Sequence, residues 1–213
     1  MTHMQEIYQA DKGTTLKIGM LNGEIGHGTI SEITAKFAVI DFNLDSPPPA
    51  KLPLTILLAL PRPKMLKRIL QTVATLGVAE LYLMNSNRVE KSFWQTPLLK
   101  IEAIREQLML GLEQGVDTVL PTVHLRKRFK PFVEDELPKI ANGKTCLVAH
   151  PIGNTPCPLR LSEASVLAIG PEGGFIPYEI AMLNKAGFET VTLGPRILRV
   201  ETAVTSLTTR LYP

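Results

Sequence analysis

Residues Leu54 to Leu60 read LTILLAL, an apolar run interrupted by a single hydroxyl. A half-buried strand alternates apolar and polar residues, whereas a run this continuous belongs to a strand buried from both sides. Such a strand needs covering helices, and the chain supplies them. PKMLKRILQTVATLG follows, with Met65, Ile69, Val73 and Leu76 at helical spacing and Gly77 as a stop signal. AELYLM is the next strand and a helix is predicted near Leu98 to Gln114. TVLPTV, KTCLVAH, VLAI and TVTL continue the strand series, with helices at about Pro177 to Lys185 and in the closing ETAVTSLTTRLY. Strands alternating with helices imply a parallel sheet covered on both faces, an α/β architecture.

Residues 1–50 have a different rhythm. Short β-type runs, TTLKIGMLNG, GHGTISEI and KFAVIDFNL, are separated by turn residues such as Gly26 and the pair Asn22-Gly23. Asn-Gly between alternating apolar residues signals a tight hairpin. Pro47, Pro48 and Pro49 then form a stiff, extended connector. A small all-β module over 1–50 is therefore expected ahead of an α/β domain over 51–213. Fifty residues bury little surface alone, so the module either lacks a strand at its start or packs on its neighbour.

The net charge of +3 is compatible with a nucleic-acid partner without demanding one. Cys146 and Cys157 are too sparse for a disulfide scaffold. His3, His27, His124 and His150 never join cysteines or carboxylates at metal-ligand spacing, so no metal is expected. No apolar run reaches the length of a membrane span and no signal-like segment opens the chain. The expectation is a cytoplasmic protein without a membrane partner.

In parallel sheets, ligands bind beyond the carboxyl ends of the strands. Three loops occupy such places: HPIGNTP after KTCLVAH, GPEGGF after VLAI, and GPRILRVE after TVTL. In GPEGGF the glycines admit positive φ and close approach of backbone to a ligand, while Pro171 sets the turn. Exposed backbone groups there can hydrogen-bond a polar small molecule while apolar neighbours grip a ring. Glu172 disfavours a phosphate cradle, and the chain has neither a G-x-G-x-x-G nor a Walker lysine motif.

IGPEGGF at Ile169 to Phe175, followed by LGPRILRVETA at Leu193 to Ala203, resembles the signature pair of the RsmE family of SPOUT-class RNA methyltransferases. The likeness continues more thinly upstream, through Leu54 to Val78 and the β module. It implies an α/β domain tied in a C-terminal trefoil knot, a PUA-like β-barrel in front, a homodimer, and S-adenosylmethionine held in the knot loops. The implied reaction is methylation of uridine N3 in 16S ribosomal RNA of the small ribosomal subunit.

Carried over residue by residue, the resemblance places Gly170, Glu172, Gly173 and Gly174 in the first cofactor loop. Leu193, Gly194, Ile197, Leu198 and Arg199 fall in the second, and His150 at the third. Arg196 and Arg199 are candidates to hold RNA phosphate or orient the target base, with Glu201 pairing one of them and capping the last helix. Arg199 is the candidate stabiliser of the uridine anion. Glu172 is either a general base or an acceptor for backbone N–H groups. Arg126, Lys127, Arg128 and Lys130, in HLRKRFKPF, are candidate RNA contacts; the alternative for that stretch is a solvated helix start. The sequence departs from the family at Thr72 and Thr75, where a lysine and a glutamate are usual, and at Asp117, where an arginine is usual. These departures keep open a non-catalytic RNA-binding or ribosome-assembly factor, or a methyltransferase for another RNA site.

Overall fold

The computed structural model describes residues 11–34 and 36–213. The chain divides into two units, Met1–Pro49 with Val116–Leu120, and Ala50–Gly115 with Pro121–Pro213. His3 lies outside the described residues.

The first unit carries an antiparallel sheet in the order β1-β2-β3, made of β1 (Thr15–Gly19), β2 (Ile25–Ile33) and β3 (Ala38–Ser46). The β1–β2 hairpin turns at Asn22-Gly23, as the sequence predicts: Asn22 has φ 60° and the Gly23 N–H donates to Met20 O at 2.8 Å. Residues 116–120 complete this unit. The Asn22 N–H donates to Thr118 O at 2.8 Å, and the Thr118 hydroxyl donates to Gly23 O at 2.5 Å. Asp117 starts that return. Its Oδ1 accepts the N–H groups of Thr118 at 2.6 Å and Val119 at 3.0 Å. TVLPTV is consequently not one strand: its first half belongs to this unit, and the strand begins only at Thr122.

The second unit is built on a seven-stranded sheet in the order β6-β5-β4-β9-β7-β10-β8, with every pairing parallel. The strands are β4 (Leu52–Ala59), β5 (Val78–Met84), β6 (Thr122–Arg126), β7 (Thr145–Ala149), β8 (Thr155–Pro156), β9 (Ser165–Ile169) and β10 (Glu189–Thr192). The continuous apolar runs occupy the centre. Every residue of β9 is buried, as is β4 from Leu54 onward. The helices are α1 (Pro63–Thr75), α2 (Ile101–Gly115), α4 (Pro177–Lys185) and α5 (Val200–Leu211). Between α2 and α4 lies α3 (129–141), a short run broken by a π turn at Phe132–Glu136. Pro63 and Pro177 each open a helix, where a missing N–H costs nothing. Hydrophobic periodicity did not reveal α3 or the two-residue β8, which are too short to carry a period.

Helices α1 and α2 pack tightly because α2 offers two glycines one turn apart. A Cβ at Gly111 would collide with the Gln71 carbonyl, and one at Gly115 would lie 2.8 Å from Thr75 O. The Thr75 hydroxyl reaches Gln71 O at 3.0 Å and Gly111 O at 2.9 Å, and Gln71 Nε2 donates to Gln107 Oε1 at 2.8 Å. The position where the resemblance expects a glutamate thus serves a helix–helix contact. Overfilling such a contact costs about 1–3 kcal/mol. Gly111→Ala is therefore expected to lower the urea midpoint of the α/β unit by that equivalent, followed by far-UV circular dichroism. An unchanged midpoint would contradict the close approach.

Candidate active site

Chain connections diverge at the middle of the second sheet. From β4 the chain runs outward to β5 and β6, while β9 has β7, β10 and β8 on its other side. A crevice at the carboxyl ends of the strands is the usual consequence. The loops following β5, β7, β9 and β10 enclose a cavity of about 770 Å³ there, a size suited to a small-molecule ligand.

The loop after β9 is shaped by its glycines. A Cβ on Gly170 would lie 2.9 Å from the Phe175 nitrogen, so this glycine serves the loop's own closure. Gly174 has φ 72° and donates its N–H to Pro171 O at 2.7 Å. Glu172 reaches across to the start of α1, where its Oε1 accepts the Arg62 N–H at 3.0 Å. It therefore acts as a backbone acceptor, and a carboxylate there also complements the positive end of α1. Among the described residues, the N–H groups of Glu172 and Gly173 find no protein acceptor. Both residues line the cavity.

Two residues that sequence reasoning missed hold this loop from the β5 side. Glu179, 3% exposed, accepts the Asn87 N–H at 2.7 Å and the Ile176 N–H at 3.0 Å. One buried carboxylate thereby clamps the loop after β5 to the start of α4, satisfying two backbone donors. Next to it, Arg88 donates from Nη1 to the Gly173 carbonyl and lines the cavity. A Cβ at Gly173 would lie 3.0 Å from Arg88 Cδ, so a side chain there would press on the arginine that covers it. The strand-end rule, applied to β5 as it was to the other strands, would have found this loop.

The opposite wall is looser. Gly194 has φ 115°, and the Thr192 hydroxyl bonds Gly194 at both its N–H and its carbonyl, at 3.2 and 3.1 Å. Leu193, Ile197 and Leu198 line the cavity while 36%, 81% and 36% exposed. His150 lines it too, and its Nδ1 accepts the Ile152 N–H at 3.3 Å, fixing its own loop. Of the arginines, Arg196 stands on the cavity wall, whereas Arg199 and Gly194 lie just outside the lining. Arg199 is the residue before α5. Among the described residues neither Arg196 nor Arg199 has an ion pair. Glu201 sits in the first turn of α5 without the arginine pairing expected of it, which leaves both guanidinium groups free.

The basic stretch splits between two elements. Arg126 ends β6 with its Nε 2.6 Å from Glu136 Oε2 and its guanidinium over the rings of Tyr82 and Phe132, at 5.5 and 6.0 Å. Lys130 pairs with Glu134 at 3.8 Å, while Lys127 and Arg128 are exposed. Burial pushes the Cys146 and Cys157 thiols above their usual range, so neither is an activated nucleophile. Among the described residues no three His, Cys, Asp or Glu side chains group as metal ligands, and no helix is long and apolar enough to cross a membrane.

Residues 48–212 match the RNA methyltransferase domain family. The ribosomal RNA small subunit methyltransferase E of Treponema pallidum is 29% identical over 206 residues, covering 94% of this chain and 77% of the relative. Methyltransferase E 1 of Borreliella burgdorferi is 28% identical over 150 residues, covering 70% of this chain and 63% of the relative. The fold matches the Neisseria gonorrhoeae methyltransferase E, whose structure was solved bound to S-adenosyl methionine, with a TM-score of 0.77 and 22% identity over 98% of this chain and 86% of that one. The chain belongs to the RNA methyltransferase domain family, in its methyltransferase E (RsmE) branch.

Proposed function

We propose that the protein methylates uridine N3 in 16S ribosomal RNA, using S-adenosylmethionine held in the cavity beyond β9, β7 and β10. The observation that carries this reading is that both signature loops, each following its own strand, line one cavity. Its lining suits this cofactor. Leu193, Ile197 and Leu198 offer apolar walls for a purine ring, the Glu172 and Gly173 N–H groups offer hydrogen bonds, and the Glu172 carboxylate favours a cationic ligand over a phosphate. The solved relatives from Neisseria gonorrhoeae and Legionella pneumophila hold this cofactor.

A trefoil knot, a PUA-like fold for residues 1–50 ahead of the knotted domain 51–213, a homodimer and a cytoplasmic location belong to the same proposal. Support for the knot comes from the segment before β9, which grips the end of α5. Arg160 and Leu161 donate N–H groups to Arg210 O at 3.0 Å and Leu211 O at 2.8 Å, and Arg210 Nε donates to Cys157 O at 2.7 Å. Ile152 and Ile197, each 81% exposed, give a second copy apolar surface to cover.

Bound S-adenosylmethionine supplies an electrophilic methyl group on a sulfonium. The protein's part is to prepare the acceptor, since uridine N3 carries a proton at neutral pH and is then not nucleophilic. The free guanidinium groups of Arg196 and Arg199 stabilise the imide anion that forms when this proton leaves. Glu172 commits Oε1 to Arg62 and keeps Oε2 as a candidate proton acceptor. The clamped loop from Gly170 to Ile176 holds one wall rigid, so alignment is settled before the base arrives.

The direct test supplies labelled S-adenosylmethionine with small ribosomal subunits and locates the methyl group by nuclease digestion and mass spectrometry. Label on one uridine is expected, and Arg199→Ala should slow transfer about 100-fold with cofactor affinity little changed. Absence of both transfer and cofactor binding would overturn the reading. Removing the clamp is a separate prediction. Glu179→Ala leaves two backbone donors unpaired, and the lost loop order should weaken cofactor binding about tenfold in calorimetry. Equal affinity for the two proteins would show that the carboxylate does not organise the site.

A further inference from the structure

The loops after β4, β5 and β6 leave the sheet at one level. Ala59 is paired with Met84, and Met84 with Arg126. Leu60 then donates its N–H to Met84 O, and Asn85 its N–H to Arg126 O, both at 2.8 Å. Within four residues of these points each loop presents exposed cations: Arg62 after β4, Arg88 after β5, and Lys127 with Arg128 after β6. Adjacent strands lie about 4.8 Å apart, so the row extends about 15 Å outward from β9. Its inner end touches the candidate cofactor loop, through Arg88 on the Gly173 carbonyl and the Arg62 N–H on Glu172.

Fold stability does not explain these charges. Arg62 and Lys64 stand at the start of α1, which has no acidic residue in its first turn, although a helix N-terminus favours anions. The neighbouring carboxylates are mostly engaged elsewhere: Glu172 with the Arg62 N–H, Glu136 with Arg126, and Glu134 with Lys130. Glu90 beyond Arg88 and Asp135 on α3 are exposed carboxylates, and four cations outweigh these two. Among the described residues the side chains of Arg62, Lys127 and Arg128 have no ion pair. Arg88 spends one of its five N–H donors on Gly173 and keeps others for a ligand.

We infer that Arg62, Arg88, Lys127 and Arg128 form a track for the phosphate backbone of single-stranded RNA, crossing the carboxyl edge of β4, β5 and β6 to the cavity. The inference rests on the methyltransferase reading, because a base modified in that cavity must leave its stack, and its flanking phosphates then need cations close by. It adds Arg62 and Arg88 to the RNA contacts expected from sequence. Arg126 is left out, since Glu136 and two aromatic rings already hold it.

The test combines Arg62→Ala, Lys127→Ala and Arg128→Ala in one variant. All three side chains are exposed, and the Arg62 N–H that Glu172 accepts is kept. Affinity for a fluorescein-labelled oligouridylate and for small ribosomal subunits is measured across a salt series. Each lost phosphate contact on a single strand reduces the slope of log K against log salt by about 0.7, so the triple variant should lose about 2. Cofactor affinity should stay at the wild-type value, and methyl transfer to subunits should fail through KM with kcat kept. A wild-type slope would overturn the track even where methyl transfer is confirmed. A reduced slope in a protein that transfers no methyl group would keep the track and remove the methyltransferase reading instead.

Discussion

The fold of the α/β unit depends on the pairing of β9 on both its edges. Ser165 to Ile169 lie in register with Leu54 to Leu58 of β4 on one side and with Thr145 to Ala149 of β7 on the other. Every residue of this strand is buried, so backbone ladders on both edges and apolar packing on both faces hold it at the sheet's centre. A late strand inserted there brings its glycine loop between loops from both halves of the sheet. The cavity follows from that placement.

The ties around the cavity are unequal, and the inequality has a functional sense. On the β4 and β5 side, Glu172, Glu179 and Arg88 fix the loop after β9 by four hydrogen bonds. On the β7 and β10 side, Leu193, Ile197 and Leu198 stand exposed, and among the described residues the arginines beside them have no ion pair. One wall is organised in advance, and the other keeps its apolar and cationic groups for what arrives. Carboxylates serve here as acceptors for backbone N–H groups, the role that lets a buried charge such as Glu179 be satisfied without a cation.

Much of this was legible in the sequence. The unbroken apolar runs at 54–60 and 166–169 announced central parallel strands, Asn22-Gly23 announced its hairpin, and the glycine loops after β9 and β10 announced the cavity. Long-range partnerships were not legible. Nothing local to Glu179 says that its carboxylate will meet Asn87, and nothing in TVLPTV says that Thr118 will bond Gly23 while Thr122 starts a strand in another unit. Thr75 and Asp117, which departed from the expected pattern, take roles in a helix contact and a turn that only the folded chain reveals. Arg126 read as one cation in a basic run, yet its charge is consumed by Glu136 ten residues on.

On the proposed reading, the loops after β9 and β10 together form one cofactor site. Hydrogen–deuterium exchange with and without S-adenosylmethionine tests it most directly, because it reports both loops at once. The account predicts slower exchange in peptides covering 170–176 and 193–199, with residues 25–46 of the first unit unaffected. Protection of neither loop, or of only one, would contradict it.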